Sequence, residues 1–319
     1  MNIRMGVVMD PLDSIYPQKD STVAMMQEAQ RRGWTIEVAS LSAVSLLDGV
    51  PFAKAEEITV FDDDEAWYDL KPMRSVAMTD WDVILMRKDP PFSIDYIAST
   101  YVLERAEEAG VLVVNRPVAL RDVNEKIFAT RFSQCCPPSV VTSSVSELEV
   151  FMNTHERIVV KPIDLMGGRG VIAVSRTDAN SKSLLSSATA GGTNFVQAQR
   201  YIPDVTETGD NRILLVNGDP IPQVLKRRPK AGEFRANLAA GGSAGGEMIS
   251  EHEMWICQEI GPELKKRGVY FAGIDVVGGF LTEINVTSPT GIKELDSIFG
   301  INIASNLMDF IEEKLIKEG

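Results

Sequence analysis

The apolar positions in the first third of the chain fall into two alternating patterns. Ile3 to Met9 is a short, largely apolar run that ends at Asp10-Pro11, as a buried strand does. A helix is predicted from about Ser21 to Arg32, with Ser21 as its N-cap and Gly33 as its stop. Thr35–Ala39 reads as the next strand. The pattern returns as a strand at Trp81–Met86, a helix at Ile94–Ala109 stopped by Gly110, and a strand at Val111–Val114. Strands separated by helices are joined by right-handed crossovers, so a mainly parallel βαβ sheet is expected. Residues 48–78 are polar without a sustained period and read as an irregular insertion at that sheet's edge.

The rest of the chain carries shorter elements. Asp122-Val-Asn-Glu125 has the form of a capping box, with Asp122 placed to accept from the Glu125 N–H, and predicts a helix with Lys126 in its first turn. Pro137-Pro138 breaks the chain. Strands are expected at Ile158–Val160, Val171–Val174, Phe195–Tyr201, Arg212–Val216 and Ile221–Leu225, the last two joined through Asn217-Gly218. Lys226 to Gly246 is rich in Gly, Ala, Arg and Lys and has no apolar period. A helix over about Glu251–Arg267, a hairpin around Gly278-Gly279 and a closing helix over about Asn302–Lys317 complete the reading.

Composition narrows the class. A length of 319 residues implies two or three packed units. Lys plus Arg number 32 against 45 Asp plus Glu, a net charge of −13, which repels nucleic-acid backbones but does not forbid a local basic cleft for a small anion. Three cysteines, two of them adjacent, make no disulfide framework and no CxxC pair. The chain opens directly into a strand, without the apolar core of a signal peptide, and no apolar run of about 18 residues occurs. A cytoplasmic protein with neither nucleic-acid nor membrane partner is therefore expected. His155 and His252 are the only histidines and stand in no catalytic spacing, so the chemistry is expected to run without a histidine base.

Four segments carry candidate chemistry. Val159-Val-Lys161-Pro162, followed by Asp164-Leu-Met-Gly-Gly-Arg-Gly170, delivers a strand-end lysine and then a glycine loop. Glycines let successive backbone N–H groups turn toward an oxyanion, and lysine adds a point charge for phosphate. A surface turn beside a strand-end lysine would look the same. The segment is neither a P-loop nor a dinucleotide fingerprint. Gly241-Gly-Ser243-Ala-Gly245 fits a nucleophile elbow only by chance, since no strand leads into it. Lys226-Arg-Arg228, Lys230 and Arg235 form a cationic cluster, either a solvated loop or a flap that closes over an anion. Glu283 and Asn285, two apart on a strand, share one face, and with Asp275 on the neighbouring strand they suit Mg²⁺ held against phosphates. Polar residues on a solvent-facing strand fit that pattern too.

Taken together these segments resemble the ATP-grasp ligases and, within that superfamily, the bacterial glutathione synthetases. The resemblance is carried by Gly6-Val-Val-Met-Asp-Pro11, Ile84-Leu-Met-Arg-Lys-Asp-Pro-Pro-Phe92, Arg121-Asp-x-Asn-Glu-Lys126, Asn237-Leu-Ala-Ala-Gly-Gly242 and Thr282-Glu-Ile-Asn-Val-Thr-Ser-Pro-Thr290. Lys293 stands where that family has arginine, and Arg169 where a small residue is common. The resemblance implies an α/β fold: an N-terminal parallel βαβ, Rossmann-like pre-ATP-grasp domain over residues 1–121, then a two-part α+β ATP-grasp fold with a lid over 122–201 and a catalytic part over 202–319 carrying a flap at 226–246. It implies an ADP-forming acid–amino-acid ligase that joins γ-glutamylcysteine to glycine through an acyl phosphate. Rival readings are another ATP-grasp ligase or kinase and a non-catalytic nucleotide sensor. A homo-oligomer, tetrameric by resemblance, is also implied.

By matched position, Lys126 and Lys161 should contact the phosphates of ATP, Gly167 and Gly168 should cover them, and Gln199, Arg200, Tyr201 and Ile202 should form the hinge that reads adenine, with Asp210 near the ribose. Arg212, Arg227, Arg235 and Asn237 should face the reacting phosphate and acyl group, and Arg87, Ser288 and Thr290 the ends of the peptide. Asp275, Glu283 and Asn285 should hold Mg²⁺ or Mn²⁺. Strand geometry adds a condition. A plain two-residue Gly278-Gly279 hairpin would pair Asp275 with Thr282 and turn Asp275 away from Glu283. A three-residue or bulged connection is therefore expected.

Overall fold

The computed structural model describes residues 2–230 and 243–318, and three sheets organise it. The first contains β1 (Arg4–Met9), β2 (Thr35–Ser40), β3 (Val44–Leu47), β4 (Val50–Val60), β5 (Tyr68–Leu70), β6 (Arg74–Ala77), β7 (Val83–Met86) and β8 (Leu112–Val114), with helices α1 (Ser21–Arg31), α2 (Ile94–Glu108) and α3 (Pro117–Asp122). Its centre, β2-β1-β7-β8, is parallel throughout. The largely apolar run of β1 follows from that position, because Val8 packs into one core and Met5, Val7 and Met9 into another. Asp20, not Ser21, caps α1, accepting from the Thr22 and Val23 N–H groups at 2.6 and 3.1 Å. Residues 48–78 do lie at the sheet's edge, but they are ordered into strands. β4 pairs antiparallel with its neighbour β3 and with β2, β5 and β6, so its partners change along its length.

The second sheet, in the order β11-β10-β12-β9, contains β9 (Ser139–Thr142), β10 (Arg157–Pro162), β11 (Ile172–Ser175) and β12 (Val196–Arg200), covered by α4 (Val145–His155) and α5 (Ser181–Ala188). It has a core of its own, built on Leu148, Ile158, Val160, Leu185 and Val196. The third, in the order β15-β14-β13-β16-β17, contains β13 (Asp210–Val216), β14 (Asp219–Arg228), β15 (Ser243–Met248), β16 (Phe271–Val277) and β17 (Phe280–Asn285). Around it lie α6 (Asp204–Glu207), α7 (Glu251–Arg267), α8 (Ile292–Phe299) and α9 (Ile303–Glu318). The β13–β14 turn carries positive φ at both Asn217 and Gly218, and a Cβ on Gly218 would meet the Gly261 carbonyl of α7 at 2.6 Å. Among the described residues no helix is long and apolar enough to cross a membrane.

The first and third sheets share their cores, and two contacts fix their relation. Asn115, at the end of β8, donates to the Phe271 and Val286 carbonyls at 2.7 Å each and accepts from the Tyr270 and Phe271 N–H groups, so its buried amide is saturated. Arg32, at the end of α1, reaches Asp309 and Glu312 of α9 at 2.7 and 3.0 Å.

Two local expectations change. The capping box at Asp122 does not form, because Asp122 pairs with Arg267 instead. Asn124 Oδ1 accepts from the Lys126 and Ile127 N–H groups at 3.1 Å each, and only a short 3-10 turn, Phe128–Phe132, follows. The Gly278-Gly279 hairpin has two residues and not three, with both glycines at positive φ, yet it carries the expected bulge. Val277 pairs with Phe280 and Val276 with Leu281; Thr282 is then skipped, and Asp275 pairs with Glu283 and Gly273 with Asn285.

Candidate active site

Two adjoining cavities, a smaller and a larger, open where the three sheets meet. They share Met166, Gly167, Asp275 and Glu283, so one continuous cleft runs from the second sheet to the first.

β10 ends at Lys161-Pro162 and delivers Lys161 into the smaller cavity, where its Nζ lies 3.3 Å from Glu283 Oε1. Lys126 enters from the opposite wall and donates to the Leu165 carbonyl at 2.6 Å. Between them Gly167 and Gly168 both adopt positive φ, +64° and +74°, a conformation in which consecutive N–H groups turn to one side. Gln199, Arg200, Tyr201 and Ile202 line the far end. The Arg200 and Tyr201 N–H groups are taken by the Pro138 and Arg157 carbonyls, whereas the Ile202 N–H has no partner among the described residues. Gln199 Nε2 is likewise buried and unpartnered. Backbone and side-chain donors thus remain available at this end.

At the boundary of the cavities lies a buried charge cluster. Arg212 bonds both oxygens of Asp275, Nε to Oδ1 at 2.5 Å and Nη2 to Oδ2 at 3.0 Å. Arg227 bonds both oxygens of Asp210 at 2.6 and 2.8 Å and reaches Asp275 Oδ1 at 2.8 Å. Burial alone would raise the Asp275 carboxyl, but Arg212 and Arg227 overcome it and hold the group well below the ordinary carboxylate range. For Glu283, burial is likewise overcome, by Lys161 and Lys126, and its carboxyl is also lowered. Asp210 lines the smaller cavity, and both its carboxylate oxygens accept from Arg227.

Asp275, Glu283 and Asn285 share one face of β16 and β17, as the bulge allows, and Asn285 Nδ2 donates to Asp275 Oδ2 at 3.2 Å. Among the described residues no trio of His, Cys, Asp and Glu gathers as a metal centre. Two ionised carboxylates and an amide whose Oδ1 is not used are still hard oxygen donors of the kind Mg²⁺ or Mn²⁺ takes, so the residues fit a divalent ion.

The larger cavity holds Ser288 and Thr290. The Ser288 hydroxyl donates to Asp89, and the Thr290 carbonyl accepts from Arg212 Nη1 at 3.2 Å. Arg87 is not on this wall. It is buried beneath, its Nε donating to Thr22 Oγ1 at 3.1 Å and its Nη2 to the Pro289 carbonyl at 3.0 Å, so it supports the 288–290 loop from behind. Arg235 and Asn237 lie outside the described residues, as does the centre of the Lys226–Gly246 stretch, whose two sides form the β14–β15 pair.

The structure adds residues that the motifs did not single out. Glu125 Oε1 accepts from the Val286 N–H at 3.0 Å, the Thr287 N–H at 3.1 Å and the Thr287 hydroxyl at 2.8 Å. Asn124 Nδ2 donates to the Ile163 carbonyl at 2.9 Å, and the Lys126 carbonyl accepts from Gln197 Nε2 at 3.0 Å. Three consecutive residues therefore tie the glycine loop, β12 and the 286–290 segment together. Asp89 and Glu294 also line the larger cavity. Glu125 and Asp89 sit inside the motifs already noted; nothing in the sequence around Glu294 marks it.

Comparison with known proteins places these features in context. Residues 3–121 match the N-terminal domain of prokaryotic glutathione synthetase, and residues 125–300 match its ATP-grasp domain. The chain is 46% identical to a glutathione synthetase from Pseudomonas syringae pv. tomato, over 99% of this chain and 98% of that one. It is 45% identical to that from Pseudomonas aeruginosa over 99% of each, and 46% identical to that from Xanthomonas campestris pv. campestris over 98% of each. Among solved structures it resembles D-cycloserine synthetase DcsG, with a TM-score of 0.69 and 15% identity over 98% of this chain and 99% of that one. It also resembles D-alanyl-alanine synthetase A from Vibrio cholerae, with a TM-score of 0.60 and 11% identity over 99% of this chain and all of that one. These likenesses show a shared fold.

Proposed function

This chain belongs to the prokaryotic glutathione synthetase family, and from that premise we propose that it joins γ-glutamylcysteine to glycine, cleaving ATP to ADP and phosphate through an acyl phosphate. The observation that carries the reading is the continuous cleft. Two lysines and a glycine loop stand at one end, a serine–threonine loop at the other, and Arg212, Arg227, Asp275 and Glu283 where the two cavities meet.

ATP lies in the smaller cavity, adenine against Gln199 to Ile202 and phosphates between Lys126, Lys161, Gly167 and Gly168. Asp275, Glu283 and Asn285 would hold Mg²⁺ or Mn²⁺, which when bound offsets phosphate charge. The dipeptide occupies the larger cavity along Ser288 and Thr290. Its cysteinyl carboxylate is ionised at neutral pH and is itself the nucleophile toward the γ-phosphorus, so no histidine is needed to activate it. Arg212 and Arg227 are fixed in place by Asp275 and Asp210 and present positive charge where the transferred phosphoryl group gains negative charge. The glycine amine then displaces phosphate from the acyl carbon. The acyl phosphate must be kept from water meanwhile, and the β14–β15 hairpin, with Arg235 and Asn237 beyond its described part, is the segment that would close over it.

Residues 1–121, 122–201 and 202–319 act in this reading as substrate domain, lid and catalytic domain, in a cytoplasmic, tetrameric enzyme. ADP release measured with γ-glutamylcysteine alone, glycine alone and both together tests the proposal. Full turnover only with both supports it, and turnover with glycine alone or with a different amino-acid pair sinks it. Sedimentation of the purified chain tests the tetramer.

A further inference from the structure

Joining an α-amino acid to an acyl phosphate requires that its amine first lose a proton. An α-amino acid arrives at neutral pH as an ammonium carboxylate, and an ammonium nitrogen has no lone pair with which to attack. A group in the cleft must first take a proton, and no histidine lines the larger cavity among the described residues.

Of the described residues, seven carboxylates line that cavity, and all but one of these are engaged by protein groups. Asp10 accepts from Lys88 and from the Asp89 N–H at 2.8 Å each. Asp20 caps α1, and Asp89 accepts from the Ser288 hydroxyl. Glu125 holds the 286–287 backbone, Asp275 the two arginines, and Glu283 Lys161. Glu294, in the first turn of α8, is the one left over, and its Oε2 is shielded from solvent with no hydrogen-bond partner among the described residues. A carboxylate on a cleft wall without a cation partner is a place where a ligand's ammonium can bind. Burial pushes the Glu294 carboxyl above its ordinary value, and its own N–H, Lys19, Arg212 and Arg227 offset this only in part. Glu294 shares the lining of this cavity with Arg212 and Arg227, where acyl transfer is proposed.

We propose that Glu294 forms the subsite for the primary ammonium of the acceptor amino acid and is the base that takes its proton. The inference rests on the ligase reading above. One ammonium proton passes to the Glu294 carboxylate, giving a neutral carboxylic acid and a free amine. The amine lone pair forms the C–N bond as the acyl C–O bond breaks, and the oxygen leaves with its electron pair on phosphate. The nitrogen then yields a second proton to the departing phosphate and keeps the third as the amide N–H. Glu294 returns its proton to solvent on product release.

Hydroxylamine is a neutral nucleophile at pH 7 and traps acyl phosphates without prior loss of a proton, which makes it the discriminating probe. Glu294→Gln should lower glycine-dependent turnover roughly 10²–10⁴-fold, the usual contribution of a positioned base. Hydroxamate formation from ATP, γ-glutamylcysteine and hydroxylamine should persist near the wild-type rate, and the glycine rate of the variant should climb with pH as free amine accumulates. Equal losses with both nucleophiles, together with weaker dipeptide binding, would assign the subsite to the dipeptide's ammonium and overturn the proposal. Unchanged glycine turnover would also overturn it. If Glu294→Gln fails to fold by circular dichroism, Glu294→Asp replaces it, with a smaller glycine-specific loss expected and an equal loss for both nucleophiles refuting. Wild-type protein that yields neither hydroxamate nor peptide would instead sink the ligase reading itself.

Discussion

Asp275→Asn would keep the shape of the buried cluster and remove one of its two negative charges. Arg212, Arg227, Asp210 and Asp275 are all less than a tenth exposed, and as two cations and two anions they are neutral together. The carboxylate receives guanidinium contacts at 2.5, 3.0 and 2.8 Å, so its loss leaves Arg212 without an anionic partner, holding only the Thr290 carbonyl, and Arg227 with Asp210 alone. Breaking a buried pair by removing one partner costs about 3–5 kcal/mol. At a urea dependence of about 2 kcal/mol per molar, the denaturation midpoint of the unit containing the third sheet should fall by roughly 2 M. Tryptophan fluorescence at neutral pH reads that shift, with Trp255 on α7 as its reporter. Adding Arg212→Met to Asp275→Asn restores neutrality and should recover part of the loss, because most of it comes from the uncompensated cation. The pH dependence has a fixed sign. The folded-state pKa of Asp275 is lowered, so its contribution is complete above the unfolded value of about 3.9 and fades as pH falls below it. The gap between wild type and Asp275→Asn should therefore narrow below about pH 4. Strictly additive effects in the double variant, or a loss under about 1 kcal/mol, would refute the stranded-charge argument.

Glu283→Gln should reduce turnover by roughly 10²–10³-fold, the scale for losing one electrostatic stabiliser, while circular dichroism stays unchanged and the Mg²⁺ requirement rises. Glu125→Ala removes the acceptor of two backbone N–H groups and a hydroxyl in the 286–287 segment, so the KM for γ-glutamylcysteine should rise about tenfold or more with little change in ATP affinity. Arg87→Met should lower stability by about 1–3 kcal/mol, because the Pro289 carbonyl loses its donor inside the protein, and a melting curve identical to wild type would show that support to be dispensable.

Elements whose signals lie within themselves were legible in the sequence. The span Glu251–Arg267 is found as expected because both ends are marked locally: Ser250 and Glu253 form a reciprocal capping box, and Gly268 closes the helix at positive φ. The parallel core strands were equally plain, since burial on both faces leaves largely apolar runs. Elements that depend on remote partners were not. β4 looks irregular in sequence because its partners change along its length, and β9, α4, α5 and α8 were not anticipated at all. The site divides the same way. The smaller cavity gathers Lys126, Lys161 and the glycines that the motifs named. Arg87, read as a substrate ligand, is instead buried behind the loop, because a motif fixes which residue is present and not which wall it faces.

The β16–β17 hairpin shows how far sequence logic extends and where it stops. Two requirements conflicted. A Gly-Gly pair favours a two-residue turn with both residues at positive φ, whereas side chains of Asp275 and Glu283 on one face require an odd residue between turn and site. Both are met, because the turn keeps its two glycines and the extra residue is absorbed further along as a bulge at Thr282. Sequence logic could require the bulge but not place it. The Thr282 hydroxyl donates to the Asp275 carbonyl at 3.1 Å, giving the displaced residue a partner across the irregularity. A residue without that donor would leave the carbonyl without this bond, so the Thr282 hydroxyl supports the bulge where it falls. The alternation of apolar and polar positions carries no trace of it.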